Sequence, residues 1–483
     1  MEAIDFSLSE NTTPITNGHR ALTTSNKNKN SLYTESEFRK KSLKIPTGFV
    51  FEKIVPALIN SMEQNIAHRL TAAAVRANRN ASLYDMRNAG PAEIATEILF
   101  DPKLVKVIAR NTGREEVFHK IKKLNKNRQP LLLGIPLFSR KPVSPIKNRG
   151  RLPDIGDIHS IIRCAELAKL LSWVHDYDIN ISVFSDGFKY QRACGTPGNI
   201  ISDYQKTLRF WTEKIGIDKY VSVINYEDAV AKKLGVIQSS IRDEIYFNTY
   251  HRLVKQTRHL FNPNSLYRSF HSIEAQAPLG SKLRYVFLSI ASSVFYKSDD
   301  LGNRIIGRSD LAQNIFVKFM SDLYEAIQSP TSLKTSNREL MASLILEAWD
   351  AALKYMAISL TDHNIDIWNK LQPHGIKLTI HGKPDEIQIR PTNSKFPTMT
   401  SQHSVGGIIA TRSGAKITCE YRIEREAAKE IPILLETTSS TYPTNNNVPY
   451  TIRKMIDSEQ PFCYVPENVE NIYQLLSGSY TDA

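Results

Sequence analysis

Residues 136 to 187 read PLFSRKPVSPIKNRGRLPDIGDIHSIIRCAELAKLLSWVHDYDINISVFSDG. The stretch opens with a loop in which Pro136, Pro142, Pro145 and Pro153 fix φ and remove amide donors, so it can join neither a helix nor a central strand. Four cations, Lys141, Lys147, Arg149 and Arg151, ride on that stiff loop. They suit an anion cradle, or else a solvated basic surface, which is what most charge clusters are. Asp154 or Asp157 can then cap a helix whose apolar face is Ile158, Ile161, Ile162, Ala165 and Ala168. Ile179, Ile181 and Val183 alternate with Asn180, Ser182 and Phe184, the period of a strand over 179–184. Ser185, Asp186 and Gly187 close it, and a carboxylate just past a strand end stands where open α/β sheets hold their ligands.

Outward from this unit the alternation repeats. DYQKTLRFWTEKIG (203–216) has a helical pattern and YVSVINY (220–226) that of a strand, as a βαβ layout requires. Upstream, apolar spacing predicts helices over 49–80 and 102–124. Downstream, 228–362 reads as mostly helical, with loops at 262–271 and 329–337 and a strongly apolar helix over 339–360. Strands are expected at 376–381, 386–391, 404–410 and 415–422, separated by turn signals at 382–385 and 412–414. The expected fold is α/β: a Rossmann-like mixed sheet with flanking helices, an N-terminal helical layer and a β-rich C-terminal part. Along the chain this gives a disordered tail over 1–45, rich in Ser, Thr, Asn and Lys, then a helical region over 46–128. A catalytic domain over 129–430 and a C-terminal extension over 431–483, with the loose run TTSSTYPTNNN near its start, complete it.

The apolar share of 41% and charged share of 23% are those of a soluble globular protein. No apolar run is long enough to span a bilayer, and the first twenty residues lack a basic patch followed by an apolar core, so a cytoplasmic protein is expected. Cys164, Cys194, Cys419 and Cys463 are too scattered for a zinc knuckle or a disulfide framework. The net charge of +13 suits either a nucleic-acid binder or an enzyme of anionic substrates. Against the first, Lys and Arg are spread along the chain and no aromatic residues interleave with them in a stacking pattern.

Three further groups bear on chemistry. In IKLTIH the period of two puts Ile376, Leu378 and Ile380 on one face and Lys377, Thr379 and His381 on the other. A lysine and a histidine sharing a strand face make a proton shuttle and anion holder, or simply the polar outer face of a half-exposed strand. Arg390 follows on the polar face of the next strand as a candidate anion ligand, or as a surface charge. His403 stands in FPTMTSQHSVGG.

Taken together, these stretches resemble the isonitrile (isocyanide) synthase family, which includes the pyoverdine/paerucumarin-type bacterial enzymes and the yeast dityrosine spore-wall enzyme. The first match is Lys141, Lys147, Gly150, Leu152, Pro153 and Asp154, followed by Ser185, Asp186 and Gly187. The family's Lys-Ser-Pro becomes Lys141-Pro142-Val143-Ser144-Pro145. The second is 376–381, similar to an Ile-Arg-Leu-Ser-Ile-His strand with Lys377 in place of arginine, which keeps the charge and loses the planar fork. The third is Thr400, His403, Ser404 and Val405, with Gln402 where the family has tryptophan. The resemblance spans roughly Pro130 to Arg425.

The resemblance implies an enzyme, a carbon–carbon lyase in type. It joins the amine of tryptophan or tyrosine to ribulose 5-phosphate and breaks the sugar, leaving an isonitrile carbon on nitrogen. It implies Asp186, His381, His403 and Lys141 as catalytic residues, with Lys147, Ser185, Lys377 and Arg390 binding substrate. No metal or organic cofactor is called for, because the sugar ketone itself forms the imine. The expected partners are the amino acid and ribulose 5-phosphate, with a downstream Fe(II)/2-oxoglutarate oxygenase as a candidate and neither nucleic acid nor membrane. The alternatives are an N-formyl-tyrosine-forming enzyme of the spore-wall type and a non-catalytic basic nucleic-acid-binding protein.

Overall fold

The computed structural model describes residues 43–46, 50–80, 89–101, 104–107, 113–137, 153, 155–276, 283–284, 286–288, 290–291, 322–323, 325–330, 338–379, 387–389, 406–411, 414–419, 433–438, 462–465 and 478. The chain begins with β1 (Leu43–Pro46), then a π-helical turn (Val50–Ile54) leads into α1 (Val55–Arg79). Pro56 sits in the first turn of α1, where a missing amide breaks no helical bond. α2 (Pro91–Leu99), β2 (Val105–Val107) and α3 (Arg114–Lys126) follow. The single helix expected over 102–124 is therefore split. Gly113 takes φ 79°, a left-handed conformation that no helix runs through, and β2 lies antiparallel to a strand near 388.

β3 (Leu131–Pro136), α4 (Ile155–Ser172), β4 (Ile179–Ser185), the single turn α5 (Gln191–Cys194), α6 (Gly198–Lys214) and β5 (Val221–Asn225) form the βαβ repeat. β3 shows no alternation because LLLGIP is buried on both faces, the signature of a central parallel strand. α7 (Tyr226–Thr257) starts directly from β5 and is interrupted at Gly235, whose φ of 68° breaks the helical run. α8 (Leu266–Gln276) occupies much of the loop expected at 262–271. Leu266, Phe270 and Ile273, at i, i+4 and i+7, are fully buried, so packing forms a helix that the preceding Asn-Pro-Asn turn obscured. α9 (Arg338–Asn364), α10 (Ile367–Leu371), β6 (Ile376–Lys377), β7 (Ile387–Ile389), β8 (Gly406–Thr411), β9 (Gly414–Cys419), β10 (Ile433–Thr438) and β11 (Phe462–Val465) complete the order.

The central sheet runs β5-β4-β3-β6 with every pair parallel. From β3 the chain builds outward through β4 to β5 and then returns to the other side of β3, so the switch point lies between β3 and β6. A second sheet, β1-β10-β11-β8-β9, mixes parallel and antiparallel pairs, and its β8–β9 hairpin packs on α4. β1 corrects the expected tail: residues 43–45 belong to a strand parallel to β10, and the rest of 1–42 lies outside the described residues. The C-terminal extension likewise contributes β10, which takes in the first two residues of the Thr/Ser/Asn run, and β11.

α4 is buried on all sides between the sheet and α1, and it carries charge into that interface. Glu166 pairs with Arg69 of α1 at 2.8 Å and with Arg163 at 2.6 Å, and all three are buried. On the opposite face of the sheet, Gly134 of β3 lies under α10. A Cβ there would stand 2.8 Å from the Trp368 ring and closer still to Oε1 of Gln372. Gly134→Ala is expected to lower the unfolding free energy by about 1–3 kcal/mol through overpacking, read from the urea midpoint at constant slope.

Candidate functional site

Ligands of open parallel sheets collect outside the carboxyl ends of the strands. Asp186 is the first residue past β4, and Tyr226 and Glu227 follow directly on β5. Lys189 and Tyr190 stand in the turn before α5, and α9 brings Tyr355, Ser359 and Asp362 to the same place at i, i+4 and i+7, one stripe of the helix. Arg242 enters from α7, beyond the break at Gly235.

Asp362 is the hub. Its Oδ2 accepts from the Tyr226 hydroxyl at 2.6 Å and meets the Lys189 ammonium at 2.9 Å, while its Oδ1 accepts from Nε of Arg242 at 2.8 Å. The other two guanidinium nitrogens of Arg242 donate to the Glu227 carboxylate at 2.6 and 3.0 Å. Lys189 also lies over the rings of Tyr226, at 4.6 Å from the centroid, and Tyr190, at 5.1 Å. Tyr190 and Tyr355 stack at 4.0 Å, and the Tyr190 hydroxyl shares a hydrogen bond of 3.3 Å with Ser359. With every acceptor of Asp362 occupied, burial is outweighed by Lys189 and Arg242, and its carboxyl is held below the usual range. Burial works against the Lys189 ammonium, but Tyr226, Asp362 and Asp186 together raise its pKa, so it is a permanent cation.

Asp186 differs from every other acid in the cluster. No cation pairs with it among the described residues, and burial pushes its carboxyl up from 3.8 to about 6 against the attraction of Lys189. Asp186, Lys189, Tyr190 and Tyr355 are each only half-buried, yet protein surrounds them closely enough to desolvate all four. All four are deep and still partly reachable from solvent. A carboxylate of this kind, its pKa drawn towards neutrality and no cation paired with it among the described residues, is equipped to accept a proton. Among the described residues no group of three His, Cys, Asp or Glu could hold a metal ion, and no helix is long and apolar enough to cross a membrane.

The other expected site residues fall in different places. Ser185 faces the opposite side of the sheet, where Gln205 of α6 donates to its hydroxyl at 3.0 Å, so it positions the strand end. Lys377 aligns with Gly134 and through it with Ser182, four residues short of Asp186 and two strands away. Strand rise and spacing put its Cα about 16 Å from that of Asp186. There its ammonium lies over the Trp368 ring, 5.6 Å from the centroid. On the strand's polar face Thr379 is buried and Lys377 half-buried, so these two positions are covered rather than solvated. Lys141, Lys147, His381, Arg390 and His403 lie outside the described residues, as do Arg149, Arg151 and Asp154. Lys141 follows β3 by five residues and His381 follows β6 by four, so the chain leads to both from the carboxyl ends of the two strands that flank the switch point.

Sequence reading missed Lys189, Tyr226, Arg242, Tyr355 and Asp362. The signal present was the run of Tyr355, Ser359 and Asp362 at one helical face of an otherwise apolar segment.

Residues 121–291 match the family model described as pyoverdine/dityrosine biosynthesis protein. The matched span holds β3, α4, Asp186, Lys189, Tyr226 and Arg242, and it ends before α9, His381 and His403. It bears out the family resemblance carried by the Lys141–Gly187 motifs and supports a biosynthetic enzyme of that type. The chain is also similar to the crystal structure of the PvcA protein from Pseudomonas aeruginosa, at 18% identity and a TM-score of 0.42, over 66% of this chain and 85% of that one. No curated protein matches the chain.

Proposed function

We propose, on the premise that residues 121–291 belong with the pyoverdine/dityrosine biosynthesis proteins, that this chain is an isonitrile synthase acting in secondary metabolism. It condenses the amine of an aromatic amino acid, tryptophan or tyrosine, with ribulose 5-phosphate. The observation that carries this reading is the half-buried Asp186 carboxylate at the carboxyl edge of the sheet, inside the matched span, with no cation paired to it among the described residues. An amino acid arrives as an ammonium ion and must lose a proton before its nitrogen can attack the sugar ketone. Asp186 takes that proton, and His381 carries it onward. Lys141, Lys147 and Arg390 hold the phosphate as preorganised cations, and His403 protonates leaving oxygens. A downstream Fe(II)/2-oxoglutarate oxygenase is a candidate consumer of the product.

The test is incubation of the purified protein with ribulose 5-phosphate and tyrosine or tryptophan, following inorganic phosphate and product mass. Phosphate release with an isonitrile product is expected. A formamide, which is the isonitrile plus one water, would assign the N-formyl-tyrosine reaction instead. Silence with all twenty amino acids would remove both readings.

A further inference from the structure

Lys189 has two carboxylates to choose between and pairs with one of them. Its ammonium sits 2.9 Å from Asp362, whereas Asp186, three residues before it in sequence, has no ion pair among the described residues. The choice is enforced from several sides. Tyr226 donates to the same oxygen of Asp362 and offers Lys189 the face of its ring, and Arg242 anchors the other oxygen while it is itself held by Glu227. We propose that Asp362 is a positioning residue: by holding Lys189 it prevents that ammonium from pairing with Asp186, and so leaves the Asp186 carboxylate free to act as the site's proton acceptor. The proposal rests on the role given to Asp186 in the preceding section, and its test needs no substrate.

Among the described residues, the groups that face Asp186 are Lys189 and Tyr190 from the turn after β4, Glu227 from α7 and Tyr355 from α9, with Tyr226 and Asp362 one contact further through Lys189. Of these, Lys189 is the one cation on a side chain long enough to change partner. Without the Asp362 charge, the carboxylate that still attracts it among the described residues is Asp186. An opposite charge brought into direct contact lowers a carboxyl pKa by about 1–3 units.

The experiment follows Asp186 by carboxyl-carbon NMR in full-length protein labelled with 13C at aspartate, with the Asp186 signal assigned by its absence in Asp186→Asn. In Asp362→Asn the Asp186 midpoint is expected to fall by about 1–3 pH units as Lys189 swings across. In Lys189→Gln it is expected to rise above the wild-type value, and in the double variant the downward shift disappears. A network that merely supports the fold would move both single variants in the same direction or neither, and either result overturns the proposal. Lys189→Gln leaves Asp362 bonded to Tyr226 and Arg242, so it serves as the deciding variant if Asp362→Asn does not fold. An unmoved midpoint there shows that Lys189 exerts no influence on Asp186 and leaves Asp362 nothing to prevent. Absence of isonitrile formation, by contrast, would cancel the proposed reaction without touching these titrations.

Discussion

Asp186→Asn loses turnover by about 10²–10⁴-fold and is at the same time more stable than the wild type at neutral pH. Both effects come from one circumstance, the carboxylate held in desolvated surroundings with no paired cation among the described residues. The folded-state pKa of about 6 lies above the ordinary 3.8, so the folded protein prefers the protonated acid more strongly than the unfolded chain does. Below about pH 3 both states are protonated and ionisation costs the fold nothing. As pH rises towards 6 the unfolded chain ionises freely and the folded protein does so only at a cost, which is complete above 6. Linkage puts the full penalty at up to about 3 kcal/mol. Urea melts of the two proteins should therefore coincide at about pH 3 and separate by about pH 7, with the asparagine variant on the stable side. In the wild type, kcat/KM should climb through pH 6 as Asp186 ionises. A variant that is both inactive and less stable would make Asp186 a structural residue.

Glu166→Ala is expected to lower the unfolding free energy by about 3–5 kcal/mol, because it leaves the buried guanidiniums of Arg69 and Arg163 facing each other without the carboxylate between them. The damage falls on the packing of α1 against α4, the helix that joins β3 to β4 and so sets the strand from which Asp186 emerges. Glu166→Gln keeps the shape and hydrogen-bonding capacity and should lose less. A urea midpoint for Glu166→Ala within about 1 kcal/mol of wild type would show that other groups compensate both guanidiniums.

How much of this was legible in the sequence depended on where the determining contacts lie. β4 and β5 showed in the sequence because each residue meets the same kind of neighbour at every second position, and Asp186 follows from the end of that pattern. β3 was missed because a strand buried on both faces has no alternation to read. The helix over 102–124 failed at Gly113, whose left-handed φ ended it, and β2 took the β-branched valines into a pairing with β7, far along the chain. The electrostatic half of the site was hidden for the same reason. Lys189 and Asp362 are far apart in sequence, and nothing near either one announces the other. Arg163 and Glu166 look like an ordinary solvated pair on a helix face, and only the fold shows that α1 covers them with Arg69.

In the proposed reaction, the site around Asp186 transfers one carbon from a sugar phosphate to an amine. The most direct measurement uses uniformly 13C-labelled ribulose 5-phosphate with unlabelled tyrosine or tryptophan and the wild-type protein, reading the product by mass spectrometry and 13C NMR. The expected product has a single labelled carbon bonded to the amino acid's nitrogen, is formed together with free phosphate and is absent with Asp186→Asn. A product with no labelled carbon, or labelled product formed equally well by the asparagine variant, would contradict the proposed reaction.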